Sequence, residues 1–184
     1  MTLKKIIITT AALIASASAA TLAADDDKKF DGAYVGVEAG IDWTKLAADA
    51  GRDKSFYYGG VLGFRRQMDS GFVFGIEGTF GDTGYQNNGT NADYEWTTGL
   101  TLGSAFGSDG ANLIYGKAAF VQTRFTDIGD SGNETSFNEN GWRFGGGYER
   151  SLSDSTSFRL GADYTTYGND KNGWATKAGL LVKF

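Results

Sequence analysis

Along most of this chain apolar and polar side chains alternate with a period of two. Over residues 33–44, Val35, Val37, Ala39, Ile41 and Trp43 share one parity, while Tyr34, Gly36, Glu38, Gly40 and Asp42 share the other. A strand sends successive side chains to opposite faces, so this segment reads as a strand with one greasy face and one small or charged face. The same two-faced pattern recurs over 55–66, 72–81, 94–106, 112–125, 137–150, 156–167 and 173–184. In the last of these, Trp174, Thr176, Ala178, Leu180, Val182 and Phe184 oppose Ala175, Lys177, Gly179, Leu181 and Lys183. Eight strands are expected.

The connections between them alternate in length. Polar segments at 45–54, 82–91 and 126–136 follow the first, third and fifth strands, with a shorter one at 168–172 after the seventh. Those at 67–71, 107–110 and 151–155 are tight, and Gly107-Ser108-Asp109-Gly110 has the residues of a hairpin turn. Long links on one side and short ones on the other are the asymmetry of an outer-membrane barrel. The expected fold is therefore all-β: an eight-stranded antiparallel up-and-down transmembrane β-barrel. In 112–125 both faces are largely apolar, and the register that puts Lys117 inside is preferred, because a cation on the lipid face at mid-bilayer costs about 2–4 kcal/mol. Trp43, Trp96, Trp142 and Trp174 then all face lipid near the long-loop rim, as an external aromatic belt. Phe64, Phe72, Phe106, Tyr148, Phe158 and Phe184 gather near the other rim. A soluble sandwich or lipocalin-like barrel would bury the aromatic faces instead. The opposite faces, mostly Gly, Thr and Ala with sparse charges, would make a poor solvated exterior.

Ahead of the strands, Lys4 and Lys5 precede an apolar run from Ile6 to Ile14 and an Ala/Ser-rich stretch to Ala24. This is the layout of a cleaved export signal over 1–23, broken too early to be a membrane anchor, and it leaves a barrel domain at 24–184 with a solvated lead-in at 25–29. Loss of Lys4 and Lys5 leaves fifteen Lys and Arg against 22 acids, a formal charge of −7, with no basic tract for nucleic acid. The chain has 28 Gly, no Pro, no Cys and 14% aromatic residues. Glycine interleaved with aromatics fits strands in a tightly curved sheet.

The register sends twelve charges inward: Glu38, Asp42, Glu77, Glu95, Glu149 and Asp163 against Arg65, Lys117, Arg143, Arg159, Lys177 and Lys183. Eight strands enclose a space that side chains can fill, so these six acids and six cations read either as a salt-bridged plug or as the lining of a narrow channel. One expected pair is Lys177 with Glu38 across the closing seam. There is no His to serve as a general base and no His or Cys for zinc; no catalytic site, cofactor or metal site is expected. The acids of the 126–139 region match no calcium-loop spacing. Any binding role falls to the loops, as in a loop-mediated adhesin.

Gly63-Phe64-Arg65 followed by a turn and Phe72-Val73-Phe74-Gly75-Ile76-Glu77-Gly78 is similar to the second hairpin of the outer-membrane β-barrel domain family, the small porin-like proteins with OmpA- and OmpX-like architecture. Leu113-Ile114-Tyr115-Gly116-Lys117-Ala118 resembles that family's fifth strand, Gly145-Gly146-Gly147-Tyr148-Glu149 its sixth, and Gly179-Leu180-Leu181-Val182-Lys183-Phe184 its closing strand. Tyr148 departs from the aliphatic residue more usual there. The resemblance spans the whole mature chain and implies location and architecture more than an activity. It implies a monomer of the Gram-negative outer membrane, exported through the periplasm. Its expected partners are membrane lipid, lipopolysaccharide and the outer-membrane assembly machinery, with a surface ligand reached through the loops. Phe184 resembles the terminal aromatic by which that machinery recognises its clients.

Overall fold

The computed structural model describes residues 28–45, 52–84, 86–87, 90–128, 134–168 and 171–184; the export signal expected at 1–23 lies outside them. Every regular element among the described residues is a strand: β1 (Gly32–Lys45), β2 (Asp53–Gln67), β3 (Phe72–Thr83), β4 (Thr90–Phe106), β5 (Asn112–Ile128), β6 (Glu134–Ser151), β7 (Thr156–Gly168) and β8 (Lys171–Lys183). A two-residue rung, Gln86–Asn87, folds back on the start of β4.

Each strand pairs antiparallel with its sequence neighbours, β3 pairs with β4 from Phe72↔Ser104 to Gly81↔Glu95, and β1 pairs with β8 from Tyr34↔Lys183 to Lys45↔Asn172. The last pairing closes the sheet into an eight-stranded barrel with no free edge. The eight-stranded up-and-down expectation holds, and so does the parity of every strand. Lipid-parity side chains such as Val37, Leu62, Ile76, Phe80 and Leu100 are at least 60% exposed, whereas Tyr34, Tyr57, Val61, Leu113, Val121 and Leu181 point inward and are buried. So much outward apolar surface is stable only against hydrocarbon.

The strands run further than their greasy faces. β4 begins at Thr90, β5 continues to Ile128 and β6 starts at Glu134, so most of the loop expected at 126–136 is a paired ribbon ending at Ile128↔Glu134. Backbone pairing needs no apolar face, so a strand that rises clear of lipid loses the alternation that would reveal it. One irregularity interrupts β4, where the register with β5 shifts between Ala92 and Tyr94.

The three tight turns lie at one end, together with Phe30 and Phe184. Gly71 there has φ of 82°, a left-handed conformation that only glycine takes without strain, and its carbonyl accepts a bond from the Ala105 N–H at 2.7 Å. On the lumen side glycine also sets how closely strands approach. A Cβ added to Gly147 would lie 2.1 Å from the Leu160 carbonyl oxygen and 2.7 Å from the Tyr115 hydroxyl, whereas one added to lipid-facing Gly116 would meet nothing nearer than 3.8 Å.

The lead-in, expected to be solvated, is instead strapped across this mouth at its described end. Lys28 Nζ lies 2.7 Å from Asp69 in the β2–β3 turn and Lys29 Nζ lies 2.6 Å from Asp154 in the β6–β7 turn. Each lysine holds its aspartate's carboxyl below the usual range by donating a hydrogen bond to it. Asp31, 1% exposed, accepts from the Gln67 N–H and faces Arg66. Phe30 is thereby buried against Val73, Leu113 and Tyr115.

Candidate functional site

The lumen is the most chemically concentrated region of the molecule, and it is built by the inward parity of all eight strands. Arg65 from β2 grips Glu149 from β6 with both prongs, at 2.9 and 2.7 Å. Arg159 from β7 joins three acids: Nη1 lies 2.6 Å from Glu77 and 3.4 Å from Glu38, and Nε donates to Glu149 at 3.3 Å. Nearer the long-loop end, Arg143 grips Glu95 at 2.6 and 2.7 Å and donates through Nε to Thr165 at 2.8 Å. Lys117 and Lys177 share Asp163, at 3.1 and 3.6 Å. Bidentate arginine–carboxylate pairs are the strongest of such contacts, and burial of both partners makes each depend on the other.

The structure thus brings ten of the twelve expected residues into ion pairs inside the barrel. The other two differ. Lys183 stands outside the network: paired with Tyr34 in the last rungs, it lies at the mouth, and its Nζ donates to the Lys28 carbonyl at 3.1 Å. Asp42 is 8% exposed and faces the lumen, yet makes no ion pair or hydrogen bond among the described residues. The expected pair of Lys177 with Glu38 does not form either. The seam register opposes Glu38 to Gly179 and Lys177 to Gly40, so Glu38 turns toward Arg159 and Lys177 toward Asp163.

Tyrosines that the charge pattern did not single out complete the site. The Tyr34 hydroxyl donates to Glu77 at 2.8 Å, with the Arg65 guanidinium 4.5 Å above its ring. Tyr115 lies under Arg159 at 4.9 Å and Tyr57 under the Lys177 ammonium at 3.7 Å. Cations over aromatic faces gain electrostatically where water is excluded. The parity of Tyr34, Tyr57 and Tyr115 marks them as inward; counting only charged residues hid them. At the long-loop end Phe125 stacks on Phe137 with ring centroids 5.6 Å apart, and Phe30 closes the other end, so aromatic groups stand at both ends of the charged layer. A cavity of about 20 Å³ remains beside Asp42, Glu95 and Arg143, and one of about 10 Å³ beside Glu77 and Lys117. Each has room for roughly one water.

The four tryptophans fall at the long-loop rim in two groups. Trp43 pairs across the seam with Trp174, whose ring lies 4.8 Å from that of Tyr164. Trp96 and Trp142 flank Phe120 at 5.6 and 6.2 Å. Trp142 and Trp174 are half exposed on the outer face, while Trp43 and Trp96 are partly covered. Phe184 is exposed at the opposite rim, its N–H bonded to the Ala33 carbonyl at 3.0 Å.

Solved structures share this architecture. The neisserial surface protein NspA superposes with a TM-score of 0.62 at 18% identity, covering 84% of this chain and 98% of that one. The attachment invasion locus protein Ail of Yersinia pestis gives 0.55 at 15% identity, covering 83% and 99%. The N-terminal β-barrel domain of Pseudomonas aeruginosa OprF gives 0.55 at 18% identity, covering 82% and 97%. No curated protein sequence matches the chain. The family model of the outer membrane protein beta-barrel domain matches residues 9–184. With its closed eight-stranded barrel, its exposed apolar band and that match over nearly its whole length, the chain belongs to the outer membrane protein β-barrel domain family and is a protein of the outer membrane.

Proposed function

We propose that this barrel is a non-enzymatic structural and surface-interaction protein whose lumen is closed by its own side chains. The observation that carries the reading is the buried chain Arg65–Glu149–Arg159–Glu77. It spans the barrel from β2 through β6 and β7 to β3, and the cavities of about 20 and 10 Å³ among the lumen charges each have room for roughly one water. A column of water would need these pairs to separate, leaving charges unpaired in a poorly hydrated space. The full-length barrel, refolded and inserted in planar lipid bilayers, is expected to show no steady conductance. Sustained openings of uniform size would replace this reading with that of a narrow diffusion channel.

The surface role rests on the ribbon that rises beyond the tryptophan rim. From Phe120 to Ile128, β5 extends eight residues past the level of Trp142, paired throughout with β6. At a rise of roughly 3.3 Å per residue this is about 26 Å of strand. The ribbon carries Asp127, Glu134 and Glu139 against Arg124, which itself faces Asp93 of β4, and Lys171 of β8 meets Glu139. Ail has been solved with the heparin analogue sucrose octasulfate. The acidic ribbon of this chain fits a cationic partner rather than such a polyanion.

A further inference from the structure

The outer face of the barrel carries a cationic patch at one point of its long-loop rim. Strands β8, β1 and β2 lie side by side there, and their register stacks two rungs. The lower rung is Trp174, Trp43 and Lys54, opposed in turn. The upper rung begins with Asn172 opposite Lys45. Arg52, one residue ahead of β2, completes it: its guanidinium donates to Asn172 Oδ1 at 2.8 Å and to the Trp43 carbonyl at 3.4 Å. Lys45 shares the outward parity of Trp43, and Lys54 that of Phe56; Arg52 and Lys54 are exposed and Lys45 is partly covered. Neighbouring strands lie about 5 Å apart and successive rungs of one face about 7 Å, so the three cations share an area roughly 10 Å across.

These charges are uncompensated. Lys45, Arg52 and Lys54 form no ion pair among the described residues. Other cations at this rim are spent, since Arg124 lies 3.7 Å from Asp93 and Lys171 meets Glu139. On the next strand, β3, the outer face presents an acid instead: Asp82 accepts from the Tyr58 hydroxyl at 3.0 Å. Like charges facing one another destabilise a sheet, and an anion placed among them offsets that cost. The aromatic rung says which anion. Tryptophans mark the level where hydrocarbon gives way to headgroups, so the upper rung stands at the height of lipid phosphates. A phosphate there meets the planar fork of Arg52 and two ammonium groups, while the acyl chains attached to it run down over Trp43, Trp174 and the exposed Phe56.

We propose that Lys45, Arg52 and Lys54 form a binding site for a phosphate of lipopolysaccharide, whose acyl chains lie along the Trp43–Trp174 rung. The lipid is thereby held at one side of the barrel, across the β8–β1 closure and its neighbour β2, rather than spread evenly round the rim. The site uses neither the closed lumen nor the acidic ribbon and stands apart from both.

The test uses the full-length refolded barrel, immobilised in neutral detergent with a chelator present, so that no divalent ion bridges phosphate to the acids of the ribbon. The half-saturating concentration is measured for lipid A, the phosphorylated anchor of lipopolysaccharide, and for lipid A stripped of its phosphates. The phosphorylated form is expected to bind at least tenfold more tightly. The variant carrying Lys45→Gln, Arg52→Gln and Lys54→Gln together is expected to lose that preference, while Arg124→Gln keeps it. Heat-modifiable gel mobility reports folding; should the triple variant fail to fold, Lys54→Gln alone decides, with about a threefold loss expected. Equal binding of the two lipids by the parent barrel would overturn the proposal, as would a preference that survives these substitutions. An equal loss in Arg124→Gln would overturn it too, because diffuse charge would then suffice. Displacement of lipid A by millimolar inorganic phosphate would make this a site for a dissolved anion and reject the lipid.

Discussion

Arg159 shows how much of the plug depends on one side chain. It is the only arginine described here that touches three carboxylates, and all four groups are buried. Arg159→Met keeps the length and removes the charge, leaving Glu38 and Glu77 without a cationic partner. Breaking one side of a buried pair costs about 3–5 kcal/mol. The barrel carrying Arg159→Met is therefore expected to unfold at markedly lower urea concentration in lipid vesicles. An unchanged midpoint would mean that the network is wet. Glycine gives a second contrast at this scale. Gly147→Ala drives a methyl group into the Leu160 carbonyl and the Tyr115 hydroxyl and should cost about 1–3 kcal/mol as overpacking. Gly116→Ala adds a methyl toward lipid and should be near neutral; comparable losses in the two urea titrations would contradict the lumen packing. Which side chains face inward was legible from parity alone. Their partners were not, because pairing across the lumen depends on relative strand heights, and one strand's alternation carries no record of its neighbour's tilt. Lys183 has the right parity at the wrong height.

Among the elements, the lipid-spanning parts of the strands were readable because hydrocarbon imposes alternation, and the upper parts were not because water imposes none. The ribbon of β5 and β6 lies wholly in that silent zone. Since Arg124 and Asn138 are directly opposed, residues 125–137 can be replaced by an Asn-Gly turn, which matches strand twist in a two-residue hairpin. The shortened protein is expected to retain its heat-modifiable fold, because the barrel ladders below are untouched. It should also lose retention on immobilised polylysine relative to the parent. Retention unchanged by the excision would remove the ribbon from any surface role. The strap formed by Lys28 and Lys29 was equally hidden. Adjacent charges in sequence read as solvated, and nothing in the sequence says that turns from two other hairpins lie close enough to receive them.

For the molecule as a whole, the order of events in forming the barrel follows from where the ion pairs run. None of the pairs Arg65–Glu149, Arg159–Glu77 and Arg143–Glu95 joins neighbouring strands; the partners are 84, 82 and 48 residues apart in sequence. None can form in a single hairpin, and the first two, whose strands lie on opposite sides of the barrel, come together only as the sheet curls to bring β1 to β8. Until that moment the charges need water around them, so the ring must close wet and dry afterwards. Interactions that form after the highest barrier slow unfolding without hastening folding. The cost of Arg159→Met should accordingly appear mainly as faster unfolding in urea-jump kinetics, with a smaller loss of folding rate from its contact with Glu149 on the neighbouring strand β6. The network behaves in this sense as a lock that engages after the door has shut, and what it confers is persistence, the time a barrel stays shut once made.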